Sequence, residues 1–282
     1  MPSPSPEALS LGRAYRLALG FEPKRGGTGE HLAKGTGASL EFQDRRNYMP
    51  GDDIRHVDWR ALARTNQVLV RQYREEILPH VELLLDASRS MALDPQKEDL
   101  SLNLAAVLAS AAQGQGFRVR VIRLGERVER LEAGEFLGAG LEFDSARPLQ
   151  ELVREAGGLL RPGGLRILLS DFLSPHDPRE LLRSLGRGVG GLALVQVLAK
   201  GDLDPPRDSA LRVTDVELGE HLDLVLDGPL RARYLARLER LIDGLQSECG
   251  RLGALHVKLD ASQPLGELCR SVLMRAGLLA PA

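Results

Sequence analysis

The chain reads as an α/β protein built on a doubly wound, mostly parallel sheet, with a small β-rich N-terminal subdomain. Three observations predict this. Near-continuous apolar runs, above all Val81 to Leu85 and Leu165 to Ser170, have the pattern of strands covered on both faces. Helical patterns with recognisable caps lie between such runs, and strands alternating with helices imply parallel pairing. The 282 residues, 43% hydrophobic and 27% charged, supply one substantial core with a smaller attachment.

In chain order, Leu9, Leu11, Tyr15, Leu17 and Leu19 form an amphipathic pattern, expected to dock as a helix on the main body before a Gly-rich connection from Arg25 to Gly29. Short β-prone runs follow at Ser39 to Phe42, Ile54 to Trp59 and Val68 to Tyr73, separated by turn residues such as Pro50-Gly51-Asp52-Asp53. These place an N-terminal helix and β-rich subdomain in residues 1–79 and the sheet domain in residues 80–282. After the strand ending at Asp86, a helix is marked by Asp94 as N-cap and Pro95 at the first helical position, with Leu100, Leu104, Val107, Leu108 and Ala111 on one face. Strands are then expected over Phe117 to Leu124 and Arg127 to Leu131, a helix over Pro148 to Ala156, and the strand ending at Asp171. A helix opening at Asp177-Pro178 and a buried strand from Gly191 to Leu198 come next. A ribbon (Leu211 to Leu218, His221 to Leu226), a long helix from Pro229 to Leu252, a strand from Leu255 to Leu259 and a helix from Pro264 to Ala276 close the chain.

The net charge of −2, with both signs interspersed, excludes the basic footprint of a nucleic-acid or anionic-membrane binder. The two cysteines, Cys249 and Cys269, form neither a disulfide framework nor a zinc motif. No leader is evident after Met1, and no stretch reaches about 18 uninterrupted apolar residues, so a cytoplasmic setting is expected.

Ligands of open parallel sheets bind at the carboxyl ends of strands, which directs attention to the two strands ending in aspartate. Asp86, with hydroxyls two and four residues on at Ser88 and Ser90, offers hard oxygen ligands from one loop, and Asp171 offers a second carboxylate. Magnesium, manganese and calcium prefer such donors, and an open coordination position would accept a partner's Asp or Glu. The competing reading is that Asp86 and the serines only cap a turn and the following helix.

Asp86-x-Ser88-x-Ser90 and Leu168-Leu169-Ser170-Asp171 resemble the metal-ion-dependent adhesion site of von Willebrand factor A domains. The upstream run of Gly35, Gly37, Glu41, Phe42, Arg46, Tyr48, Gly51-Asp52-Asp53, Arg55, Asp58-Trp59 and Ala63-Arg64-Thr65 resembles the signature of the bacterial domain-of-unknown-function 58 (DUF58) family. The resemblance implies a cytoplasmic or membrane-tethered A-domain protein, often paired with a MoxR-type AAA+ ATPase, that assists assembly, metal insertion or activation of a client protein. Larger relatives carry N-terminal membrane spans, and this chain resembles the short soluble form. One departure concerns the threonine that the adhesion site takes from a separate loop. No Thr occurs between Asp86 and Asp171, and Ser145 is the nearest hydroxyl that would replace it.

Glu41, Arg46, Asp52, Asp53, Arg55, Asp58, Trp59 and Arg64 are candidate partner-binding residues, forming a second surface or bracing the sheet. The carboxylates of this segment are expected to pair with its arginines, and Trp59 is expected to anchor the core of the small subdomain. Gly186-x-Gly188-x-x-Gly191 matches a dinucleotide fingerprint in letters only, because a helix precedes it and a strand follows. Gly-x-Ser-x-Gly and His-Glu-x-x-His are absent. The expectation is therefore a non-enzymatic interaction module with a magnesium-like ion (or manganese or calcium) on Asp86, Ser88, Ser90, Asp171 and Ser145. The alternatives are a metal-dependent hydrolase or phosphoryl-transfer enzyme and a metal-free scaffold.

Overall fold

Residues 2–19, 40–49, 52, 57–65, 67–75, 80–206, 209–214 and 221–282 are described in the computed structural model of the chain. They divide into two units, one made of Met1–Arg25 with Pro79–Ala282 and the other of Gly26–Leu78. The N-terminal helix thus groups with the sheet unit, while the β-rich segment stands as a unit of its own.

The larger unit begins with α1 (Pro6–Gly12) and β1 (Tyr15–Leu17). The smaller unit contains β2 (Leu40–Asn47), α2 (Trp59–Thr65) and β3 (Leu69–Glu75). The larger unit resumes with β4 (His80–Asp86), a 3-10 turn at Arg89–Ala92, α3 (Pro95–Gly114), β5 (Arg118–Leu124) and β6 (Val128–Glu132). Then come α4 (Ala133–Ala139), α5 (Leu149–Ala156), β7 (Leu165–Ser170), α6 (Pro178–Gly186), β8 (Gly191–Leu198) and α7 (Lys200–Leu203). The ribbon β9 (Ser209–Thr214) and β10 (His221–Leu226) leads to α8 (Gly228–Leu252) and β11 (Leu255–Asp260). Last are α9 (Leu265–Glu267), a π-helical stretch Leu268–Leu273, α10 (Met274–Ala276) and β12 (Leu279–Pro281).

Six strands form the central sheet in the order β11-β8-β7-β4-β5-β6. All neighbours are parallel except β6, which folds back antiparallel on β5. The doubly wound, mostly parallel sheet expected from the apolar runs is present. Alternation along the strands splits the core into two layers. Val81, Leu83 and Leu85 face α1, α3 and the C-terminal helical segment, whereas Leu84, Ile122, Leu168 and Leu194 face α5, α6 and α8. Helix α3 is the central buried helix, and Asp94 caps it by accepting from Gln96 N and Lys97 N. Gly12 lets α1 approach α3 closely, since a Cβ there would lie 2.7 Å from the Val107 carbonyl oxygen. No helix among the described residues is long and apolar enough to cross a membrane.

Two local expectations are corrected. The N-terminal helix stops at Gly12, and Tyr15 and Leu17 instead lie on a strand that pairs antiparallel with β12. Their two-residue spacing is a strand period, and the pairing partner lies at the other end of the chain. In the smaller unit, β2 and β3 pair antiparallel with a bulge between Phe42 and Asp44; of the strand expected from Ile54 to Trp59, residues 54–56 lie outside the described residues. Val57 makes a single bridge to Val70, and Asp58 then caps α2 by accepting from Arg60 N and Ala61 N. That cap turns Trp59 into the first helical residue, where it is 63% exposed rather than a core anchor.

Candidate functional site at the carboxyl end of the sheet

Strands β4 and β7 are neighbours, and their register, with Leu85 beside Leu169, brings Asp86 level with Ser170. The chain leaves β4 through α3 toward β5 on one side and leaves β7 through α6 toward β8 on the other. Their carboxyl ends therefore flank the point where the winding direction reverses, the position at which open α/β sheets leave a crevice.

Asp86 is buried at the head of the loop, and both its oxygens are engaged. Oδ1 accepts from Ser88 N at 3.0 Å, and Oδ2 accepts from Ser170 Oγ at 2.6 Å. The hydroxyls of Ser88 and Ser90 lie 2.9 Å apart. A second loop runs alongside: Asp144 N and Ser145 N donate to Ala87 O, Arg89 N donates to Ser145 O, and Ser88 and Ser145 form a parallel bridge. The Ser145 hydroxyl accepts from Arg147 N at 3.1 Å and retains further acceptor capacity. Arg123 fixes this second loop by pairing with Asp144 at 2.6 Å. Burial would raise the Asp144 pKa, but the hydrogen bonds from Arg123 and Glu126 N together with the Arg123 charge outweigh it and hold the carboxyl below its usual range.

Asp171 follows β7 directly and is also buried. Its Oδ1 accepts from Leu173 N at 3.0 Å, and its carbonyl accepts from Gln196 Nε2 at 2.9 Å. The next residue, Phe172, is fully buried with φ of 56°, a left-handed backbone conformation that costs energy for a side chain of this size. Its N–H is held by Ser170 Oγ at 2.9 Å. Ser170 thus ties the strained turn to Asp86, a role absent from the candidate residues.

A second unanticipated residue is Lys97, in the first turn of α3. It is 3% exposed, and its Nζ donates to Asp171 Oδ2 at 2.8 Å and lies 3.6 Å from Asp202 Oδ2. Burial alone would lower its pKa, but Asp171 and Asp202 outweigh that and keep the ammonium charged. A cation at a helix N-terminus opposes the macrodipole, and on the buried stripe with Leu100 and Leu104 it needs a counter-charge. Those two anomalies were readable in the sequence. The Asp86 pKa is pushed up to about 6, first by burial and then by the Asp171 carboxylate, against the hydrogen bonds from Ser170 and Ser88.

The structure therefore brings together Asp86, Ser88, Ser90, Ser145 and Asp171. Asp86 with the Ser88 and Ser90 hydroxyls makes an all-oxygen set suited to a hard divalent ion. Asp171 is paired with Lys97, and no group of three or more His, Cys, Asp or Glu gathers among the described residues. Of the candidate partner-binding residues, Asp53 and Arg55 lie outside the described residues, and Glu41 and Arg46 are placed by backbone on β2. Asp52 accepts from Met49 N, Asp58 is a buried cap, and Arg64 is exposed with its Nε on Arg60 O.

A family model described as "Protein of unknown function DUF58" matches residues 44–135. Uncharacterized proteins of Mycobacterium bovis and Mycobacterium tuberculosis are 28% identical over 223 residues, covering 72% of this chain and 69% of theirs. Among solved structures, an aerotolerance-related membrane protein from Bacteroides fragilis has 13% identity and a TM-score of 0.42, covering 70% of this chain and 98% of its own. The conserved hypothetical protein BatB from Bacteroides thetaiotaomicron has 14% identity and a TM-score of 0.37, with the same coverage. Over residues 44–135, which include β3, β4, the Asp86 loop, α3, β5 and β6, the chain matches the DUF58 family model.

Proposed function

We propose that the chain is a non-enzymatic interaction module of the von Willebrand factor A type, which binds an acidic group of a partner protein at the Asp86 loop. The observation that carries this reading is the convergence of Asp86, Ser88, Ser90 and the Ser145 loop at the switch point of the sheet. Asp86, Ser88 and Ser90 would hold a magnesium-like ion (or manganese or calcium), with Ser145 beside them. When bound, such an ion supplies a Lewis-acidic position that a partner carboxylate can fill. The chain's own residues do the rest. Ser170 and Ser88 N orient Asp86, and Arg123 with Asp144 fixes the neighbouring loop.

The DUF58 resemblance points to a MoxR-type AAA+ ATPase as partner, acting on an unknown client, and ATP chemistry suits a cytoplasmic setting. Exposed Trp59 and Arg64 add a second contact surface. The rival, a metal-dependent hydrolase or phosphoryl-transfer enzyme, would need a general base beside the ion, and the Ser88 and Ser90 hydroxyls are engaged with each other.

The test is capture of a purified MoxR-type ATPase by the full chain, with Asp86→Asn as the near-isosteric variant. Loss of capture in the variant, at unchanged melting temperature, supports the reading. Undiminished capture rejects it, and Asp86-dependent turnover of phosphate esters would establish an enzyme instead.

A further inference from the structure

We infer that the Lys97 ammonium is the resident cation of this site, so that a divalent ion binds strongly only when Lys97 is withdrawn. The inference deepens the interaction reading by assigning the site its own built-in competitor. Geometry carries it. Lys97 Nζ lies 2.8 Å from Asp171 Oδ2 and 3.6 Å from Asp202 Oδ2, with its side chain 4% exposed. Asp86, buried beside Ser170, is near enough for its charge to act on both Asp171 and Lys97.

Two buried carboxylates at adjacent strand ends require positive charge nearby. In this fold a covalently attached ammonium supplies it, at the effective concentration of a short tether. A divalent ion that recruits Asp171 therefore has to displace the ammonium or accept it as a close like charge. Lysine suits such exchange, because its charge is a compact point on a flexible four-carbon stem, whereas arginine would be a rigid planar fork. Its placement has a local cost. Lys97 lies at the N-terminal end of α3, where the helix dipole favours anions, and it shares the buried face of the helix with Leu100 and Leu104. Charge compensation of the Asp pair is the interaction that offsets that cost.

The alternative, that Lys97 merely braces the core, is separable by metal binding. Mn2+ binding to the full chain is measured by the loss of the free-ion magnetic resonance signal, for the wild type, Lys97→Met, Lys97→Arg and Lys97→Met with Asp86→Asn. Lys97→Met is expected to bind Mn2+ at least about tenfold more tightly than the wild type, within the usual range of coupling between two bound species. Lys97→Arg should stay as weak as the wild type, and the added Asp86→Asn should abolish the gain. Should Lys97→Met be unstable, its melting temperature is expected to rise with MnCl2 while that of the wild type does not. Equal Mn2+ affinity in the wild type and Lys97→Met, or no response to Mn2+ in either, overturns the inference. Capture of the ATPase is scored separately. Tight Mn2+ binding by Lys97→Met without capture would reject the partner reading and leave this inference standing.

Discussion

Ser170 Oγ donates to Asp86 Oδ2 across 2.6 Å, joining the carboxyl ends of two neighbouring strands, and the same oxygen accepts from Phe172 N. One hydroxyl therefore satisfies a buried carboxylate and holds a strained turn. Ser170→Ala is expected to cost about 1–3 kcal/mol, the penalty for a buried acceptor left without its donor. A lower urea midpoint at unchanged slope would show it. No change in midpoint would mean that Asp86 finds another donor.

Glu82 and Arg166 form a buried pair on the same two strands, at 2.9 Å. Arg166 also donates to the carbonyls of Arg161, Leu185 and Arg187, and so ties the sheet to the end of α6. Glu82→Leu alone leaves a buried guanidinium without its counter-charge, at a cost of about 3–5 kcal/mol. Replacing both residues with apolar ones should cost less than the sum of the single changes, and a double-mutant cycle in urea measures the difference.

His256 carries a pH signature. Burial lowers its pKa from 6.5 to about 4, and its Nε2 has no hydrogen-bond partner among the described residues. The unfolded chain thus binds this proton more tightly than the folded one. Its contribution to stability is complete above pH 6.5 and is lost as pH falls toward 4. His256→Gln should flatten stability over that window. His80, also lowered by burial, keeps part of the slope in the same direction.

Trp59 is exposed at the start of a helix in the smaller unit. Trp59→Ala should change the melting free energy by no more than about 0.5 kcal/mol, as for surface sites. A larger loss would show that the indole packs against something in the folded chain. A loss confined to ATPase capture would mark it as a binding anchor.

Strands β4 and β7 were legible because strands buried on both faces must be apolar nearly throughout, and Asp94-Pro95 announces α3 through its cap. The meeting of Asp86 with Ser170 depends on which strands become neighbours, and that choice is made by packing of the whole sheet. The Ser145 loop reaches Ser88 through backbone bonds to Ala87 and Arg89, which carry no side-chain signature. The pairing of Tyr15–Leu17 with Leu279–Pro281 was unreadable for the same reason, since strands of 3 residues have too little pattern to name a distant partner. Trp59 misled in the other direction: a large aromatic was expected inside, but the Asp58 cap sets the helix phase and turns it outward.

Strand β6 ends the central sheet with Glu129, Arg130 and Glu132 exposed along its border. A charged rim of this kind discourages another chain from extending the sheet by adding a strand, and so protects against edge-to-edge aggregation. At that border a second copy of the chain meets like and unlike charges in place of an apolar template, so self-association by strand addition is disfavoured there.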